Sequence, residues 1–208
     1  MKSAKEINLE SKIVEKLREY PICVKLVDFL LKDEELKVMQ DYANNVSIKR
    51  LGFNDHGPVH MRQVTNNAIK MLNILHSHGI QTSLEKEEIG TFEDSMCAVI
   101  LAGFMHDLGM MIGRAGHEEM SVILAQPIID KALSAVFKND LTRRTIKKKG
   151  KFAGTEYFQE LLRRIKCELY GHLKIRAILP ITLAVFVEAT ICLIEPTASI
   201  FTSILTPA

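Results

Sequence analysis

Ten consecutive residues, Met96-Cys97-Ala98-Val99-Ile100-Leu101-Ala102-Gly103-Phe104-Met105, carry no charge, and the next two are His106 and Asp107. A run this long and this apolar reads as a helix buried on all sides rather than as one face of a surface helix. The rest of the chain must therefore supply a layer of amphipathic elements around it. It must also supply a partner for an imidazole and a carboxylate delivered to the end of a greasy segment, because burying unpaired polar groups is costly. A buried hydrogen bond between the two is the plain solution. A divalent metal ion, which satisfies both at once, is the other.

The surrounding pattern is helical almost throughout. The spacing of Ile7, Ile13, Val14 and Leu17 predicts a helix over 8–19, stopped by Pro21. A second apolar helix contains Val24, Leu26, Val27, Phe29, Leu30 and Leu31. Residues 33–45 open with acids, which favours a helix start through the macrodipole. Residues 50–57 are rich in turn formers and read as a loop. Pro58 then stands where a helix tolerates proline, and that helix runs to about His78, where Gly79 ends it. Glu93-Asp94-Ser95 starts the central helix. Gly109, Gly113 and Gly116 mark a loop, and His117 opens a helix with Met120, Ser121, Leu124 and Ile128 along one face. A basic run follows at 143–151, and then a helix from about Thr155 to Tyr170 with Phe158, Leu161, Leu162, Ile165 and Leu169 as its inner stripe. There is no alternating strand pair, repeat or low-complexity linker. The expected fold is all-α.

Composition narrows the function classes. The 208 residues suit one domain, and 47% hydrophobic with 25% charged residues is ordinary for a globular core. A formal net charge of +2 gives no strong signal for nucleic acid. The four cysteines, Cys23, Cys97, Cys167 and Cys192, show no paired spacing and read as reduced core thiols. The polar N-terminus has no apolar signal-like stretch, so a cytoplasmic location is the expectation. Residues 177–194 are nearly all apolar and approach the length of a membrane span. Pro180 and Glu188 interrupt them, however, and no basic flank follows, so a buried terminal segment is expected instead.

Seven histidines occur, and four of them are expected to face inward near helix ends: His60, His106, His117 and His172. His60 is placed to share a face with Val64, Asn67 and Met71, and His172 to continue the face of Leu161 and Ile165 if the helix passes Gly171. Facing helices of a bundle build metal sites in this way. His56 reads as a loop group beside the ligands, and Asp55 as either an orienter of an imidazole or a turn residue. His76 and His78, at a helix C-terminus, complement the helix dipole.

The ordered set His60-x3-Val64, His106-Asp107, His117-Glu118 and His172 resembles the HD-domain metal-dependent phosphohydrolases. So do the strings Asn54-Asp55-His56-Gly57-Pro58-Val59-His60, Leu101-Ala102-Gly103-Phe104-Met105-His106-Asp107-Leu108-Gly109 and Arg114-Ala115-Gly116-His117-Glu118-Glu119. The resemblance covers roughly residues 45–176. It implies an HD-domain helical bundle over 46–176, with 1–45 as an N-terminal helical extension and 177–208 as an apolar segment departing from the family pattern. It implies His60, His106 and Asp107 as ligands of a first divalent ion (Mn, Fe, Ni, Co, Mg or Zn). His117 and His172 match the histidines of members that hold a second ion. The family's last ligand is an aspartate after the final histidine. The matching region here has none, and Glu188 is its substitute, one methylene longer. That departure suggests either a diverged tail or one out of the ancestral reading frame.

The implied activity is hydrolysis of a phosphomonoester or phosphodiester by metal-activated hydroxide, on a nucleotide or another small phosphorylated molecule. Asp107 would hold or bridge the metal, and Arg114 would clamp a substrate phosphate. The rival reading is a degenerate HD domain that binds metal or nucleotide as a sensor or interaction module without turnover. An RNA-directed phosphodiesterase using the basic run 143–151 is a third. The sequence is compatible with a homo-oligomer and does not specify one.

Overall fold

A computed structural model describes residues 2–137, apart from Phe53, Asn54, Glu87 and Ile89. His172, Glu188, the basic run 143–151 and the apolar segment 177–208 lie outside the described residues. Among the described residues every regular element is helical. They are α1 (Ala4–Lys16), α2 (Pro21–Lys32), α3 (Glu34–Asn45), a π-helical turn (Val46–Arg50), α4 (Pro58–Ser77), a short α5 (Ser83–Lys86), α6 (Phe92–Met105), a 3-10 turn (Leu108–Met111) and α7 (His117–Phe137).

Local chemistry accounts for most boundaries. The Ser3 hydroxyl accepts from the Glu6 amide and starts α1 earlier than the apolar spacing indicates. Pro21 stands at the first position of α2, and Asp33 caps α3 by accepting from the Leu36 amide. Thr91 and Asp94 form a reciprocal capping box at α6, so the helix begins just before Glu93. Gly79, at φ 77°, ends α4 in the left-handed conformation that glycine adopts without strain.

The run 96–105 is the centre of the molecule. Every residue of α6 from Asp94 to Met105 is buried except Ala102. α4 and α2 pack against it, α1 packs on α4, and α7 packs on α2 and the 3-10 turn. Ile13, Leu17, Leu26, Val27 and Leu30 belong to the same core cluster as Ile100, Leu101 and Phe104. The segment read as an extension thus shares the core of the rest. In α1 and its C-cap the inner apolar residues are Leu9, Ile13 and Leu17, while Ile7 and Val14 are exposed, so the inner stripe is rotated from the one expected. Along α7 the inner face is His117, Ser121, Ala125, Ile128 and Ile129, with Met120 and Leu124 only half-buried. α7 is long and apolar enough to cross a membrane by length and composition. Its inner face and its contacts with α2 and the 3-10 turn are those of a core helix.

Two side-chain features tie the layers together. Arg62 is buried, donates to Glu10 at 3.1 Å and to Gln40 and lies 3.6 Å from Glu6, while Gln40 donates to the Phe104 carbonyl at 2.8 Å. A buried guanidinium is thereby paired and hydrogen-bonded, as burial of charge requires. The thiols of Cys23 in α2 and Cys97 in α6 lie 3.5 Å apart, both buried. Burial, then the neighbouring Cys97, pushes the Cys23 thiol far above its ordinary value.

Candidate metal centre

Three helix ends deliver the side chains. His60 lies in the first turn of α4, behind Gly57 and Pro58. His106 closes α6, its amide donating to the Ala102 carbonyl at 2.9 Å. Asp107 leaves the helix and leads into the 3-10 turn. His117 begins α7 directly after Gly116, whose φ of 67° turns the chain back.

Close backbone contacts fix how these ends meet. A Cβ on Gly103 would fall 2.4 Å from Thr65 Oγ1 and 3.0 Å from Thr65 Cα, so only glycine lets α6 approach α4 at this crossing. A Cβ on Gly109 would fall 1.8 Å from the His117 carbonyl oxygen. The Gly109 amide donates to Ser121 Oγ at 2.8 Å, and that hydroxyl donates to the His117 carbonyl at 2.7 Å. The 3-10 turn carrying Asp107 is thus clamped to the start of α7.

The outcome is one buried carboxylate ringed by imidazoles. Asp107 Oδ2 lies 2.9 Å from His56 Nδ1, 3.1 Å from His106 Nε2 and 3.3 Å from His60 Nε2. Its Oδ1 lies 3.5 Å from His117 Nε2. His60 and His106 bring their Nε2 atoms to 3.3 Å of each other. Asp107 and His117 are almost fully buried, whereas the side chain of His60 keeps 24% of its exposure, so the group has one open side. That openness arises because the inner face of α4 is Met61, Val64, Thr65, Ala68 and Ile69. His60 sits at the border of that face, and Asn67 is exposed.

The hydrogen bonds assign the ring tautomers. His106 Nδ1 is 3.1 Å from the Gly103 carbonyl oxygen, an acceptor only, so Nδ1 carries the proton. His117 Nδ1 is 2.7 Å from the Arg114 carbonyl and 3.0 Å from Glu118 Oε2, with the same consequence. In the neutral rings both Nε2 atoms then present lone pairs. Both face Asp107, and His117 Nε2 is buried with no hydrogen-bond partner. Burial alone would raise the Asp107 pKa. When its ring is protonated, the charge of His106, followed by hydrogen bonding from the surrounding imidazoles, outweighs burial and holds the carboxyl well below its usual range. With the rings neutral, the carboxylate faces imidazole lone pairs instead of donors, an arrangement that a cation completes. Anchoring the far ring nitrogen to a backbone carbonyl is how metal-bound histidines are oriented.

The structure brings together His60, His106, Asp107 and His117. It adds His56, which the sequence places only in a loop. His56, His60 and Asp107 form a group that could hold a metal ion, with ligand atoms all within 4.8 Å of one another. Arg114 is different: its side chain is exposed, and its backbone carbonyl is what anchors His117. Asp55 accepts from the Gly57 amide at 2.9 Å, the turn role rather than that of an imidazole orienter. His76 stands apart, stacked on Phe92 with ring centroids 3.7 Å apart.

No family model matches the chain, and no solved structure matches it. The chain is similar to the uncharacterized protein MJ1020 of Methanocaldococcus jannaschii, with 37% identity over 115 residues. That match takes in 55% of this chain and 44% of the relative, so the chain spans less than half the length of the curated relative it matches.

Proposed function

We propose that the cluster around Asp107 is a divalent-metal centre and that the protein is a metal-dependent phosphohydrolase of HD-domain type. The metal part is carried by one observation. The Nε2 atoms of His106 and His117, whose far ring nitrogens are anchored on the Gly103 and Arg114 carbonyls, converge on the buried Asp107 carboxylate, and His117 Nε2 is buried with no hydrogen-bond partner. Imidazole nitrogens and a carboxylate suit a borderline first-row divalent ion. The two Asp107 oxygens face different imidazoles, Oδ2 toward His56, His60 and His106 and Oδ1 toward His117, so Asp107 and these imidazoles are the residues that would hold a bound ion.

When bound, a divalent ion supplies Lewis acidity and a water whose pKa is brought toward neutrality. The chain's own residues do the rest. Asp107 holds negative charge where burial would otherwise neutralise it. The backbone carbonyls keep His106 and His117 in the ligating tautomer. His60, at the open edge, leaves a route for a small phosphorylated substrate such as a nucleotide. Arg114 projects from the loop before α7 and is the candidate for contacting a substrate phosphate through paired N–H groups.

Hydrolysis of aryl phosphates, aryl phosphodiesters and nucleotides by purified protein with Mn²⁺, Ni²⁺, Co²⁺ or Mg²⁺ tests this reading. The expected result is metal-dependent turnover that EDTA abolishes. His106→Ala should lower it by about 100-fold or more, since even groups behind a ligand contribute 10- to 100-fold. A protein that binds metal but turns over none of these substrates would be a metal-binding sensor module instead.

A further inference from the structure

We propose that His56 is itself a metal ligand through Nδ1, closing the Oδ2 side of the site together with His60 and Asp107. The inference rests on the metal-centre reading above and adds a residue to it.

The loop before α4 is built to hold this imidazole. The His56 amide donates to Asn44 Oδ1 at 3.3 Å, which ties the loop to α3. The Gly57 amide donates to Asp55 Oδ1 at 2.9 Å, an Asx-type turn that sets the backbone on either side of His56. A Cβ on Gly57 would lie 2.5 Å from Asn44 Cβ, so the loop is pressed against α3 where only glycine fits. The ring so placed has Nδ1 2.9 Å from Asp107 Oδ2 and its centroid 5.4 Å from that of His60.

Simple hydrogen bonding does not account for the crowding at Oδ2. Three imidazole nitrogens, from His56, His60 and His106, stand within 3.3 Å of this one oxygen. A carboxylate oxygen offers about two lone-pair positions. In its neutral form His106, with its proton on Nδ1, adds a nitrogen there that cannot donate. A shared cation resolves the crowding, with nitrogens and oxygen all serving as donors to it. The geometry places His56 at the open side, 15% exposed, where it also borders any molecule entering beside His60.

Two measurements test this. Nitrogen-15 NMR of the histidine side chains in the wild-type protein should show, on Zn²⁺ addition, His56 Nδ1 moving to the metal-bound shift while Nε2 carries the proton. In Co²⁺ titrations followed by visible absorption, His56→Ala should weaken binding by about tenfold or more and change the ligand-field bands, while the melting curve in EDTA stays cooperative. His60→Ala is the companion. If His56 Nδ1 keeps its proton in the Zn²⁺-loaded protein, the residue only orients Asp107 and the proposal is overturned. Wild-type Co²⁺ affinity and bands in His56→Ala, with binding lost in His60→Ala, would overturn it and leave the metal centre standing. No Zn²⁺ or Co²⁺ binding by the wild type would remove both.

Discussion

At the residue scale, Asp107 depends on its neighbours for its charge. Its folded pKa lies below its ordinary value of 3.8, so the ionised carboxylate contributes stability that is fully present above that value. This contribution is lost as pH falls below 3.8 toward the lowered pKa. Acid unfolding in EDTA should therefore show a component below about pH 4 that Asp107→Asn lacks. Glycines matter as much as ligands. Gly103→Ala forces a methyl against Thr65, a backbone-level clash that should cost about 1–3 kcal/mol, read as a lower denaturant midpoint with an unchanged slope. The sequence made His106-Asp107 visible because two polar residues end an apolar run. His56 was harder to see, since a loop has no periodicity to say where a side chain points. Its signal was the turn chemistry of Asp55-His56-Gly57-Pro58, which fixes the ring four residues before His60.

At the scale of elements, the helices joined to the site are held by polar bridges as well as by core packing. Arg62 in α4 reaches Glu10 in α1 and Gln40 in α3, and Gln40 reaches the end of α6 at Phe104. Arg62→Ala would leave the buried Glu6 carboxylate without its guanidinium, while Glu10 keeps Lys2, a loss of roughly 3 kcal/mol measurable by chemical unfolding. Cys23, buried and with a raised pKa, should stay unalkylated by iodoacetamide in the native protein and react only on unfolding. Helix existence was readable from period and caps: Pro21, Asp33 and Pro58 all stand at helix starts. Boundaries and rotations were less so. Ser3 starts α1 early, and tertiary packing turns Ile7 and Val14 outward. The π-helical turn at Val46–Arg50 and the 3-10 turn at Leu108–Met111 lack a distinctive sequence signature.

At the scale of the whole molecule, the described residues form one all-helical core around α6, with the carboxylate-imidazole cluster at the end of that helix. Because the cluster joins α4, the end of α6 and the start of α7, a bound ion should stabilise the fold as a unit. At a free metal concentration of 100 times Kd the gain is about 2.7 kcal/mol, which should raise Tm by roughly 5–10 °C in a chain of this size. His106→Ala should remove that rise. The most direct measurement is anomalous diffraction from crystals soaked in Mn²⁺ or Zn²⁺. The expected result is a peak bonded to an Asp107 carboxylate oxygen and to Nε2 of His60 or His106, with Zn–N distances of about 2.1 Å. A saturating soak that leaves no peak beside Asp107, with His117 Nε2 still facing the bare carboxylate, would contradict the metal centre.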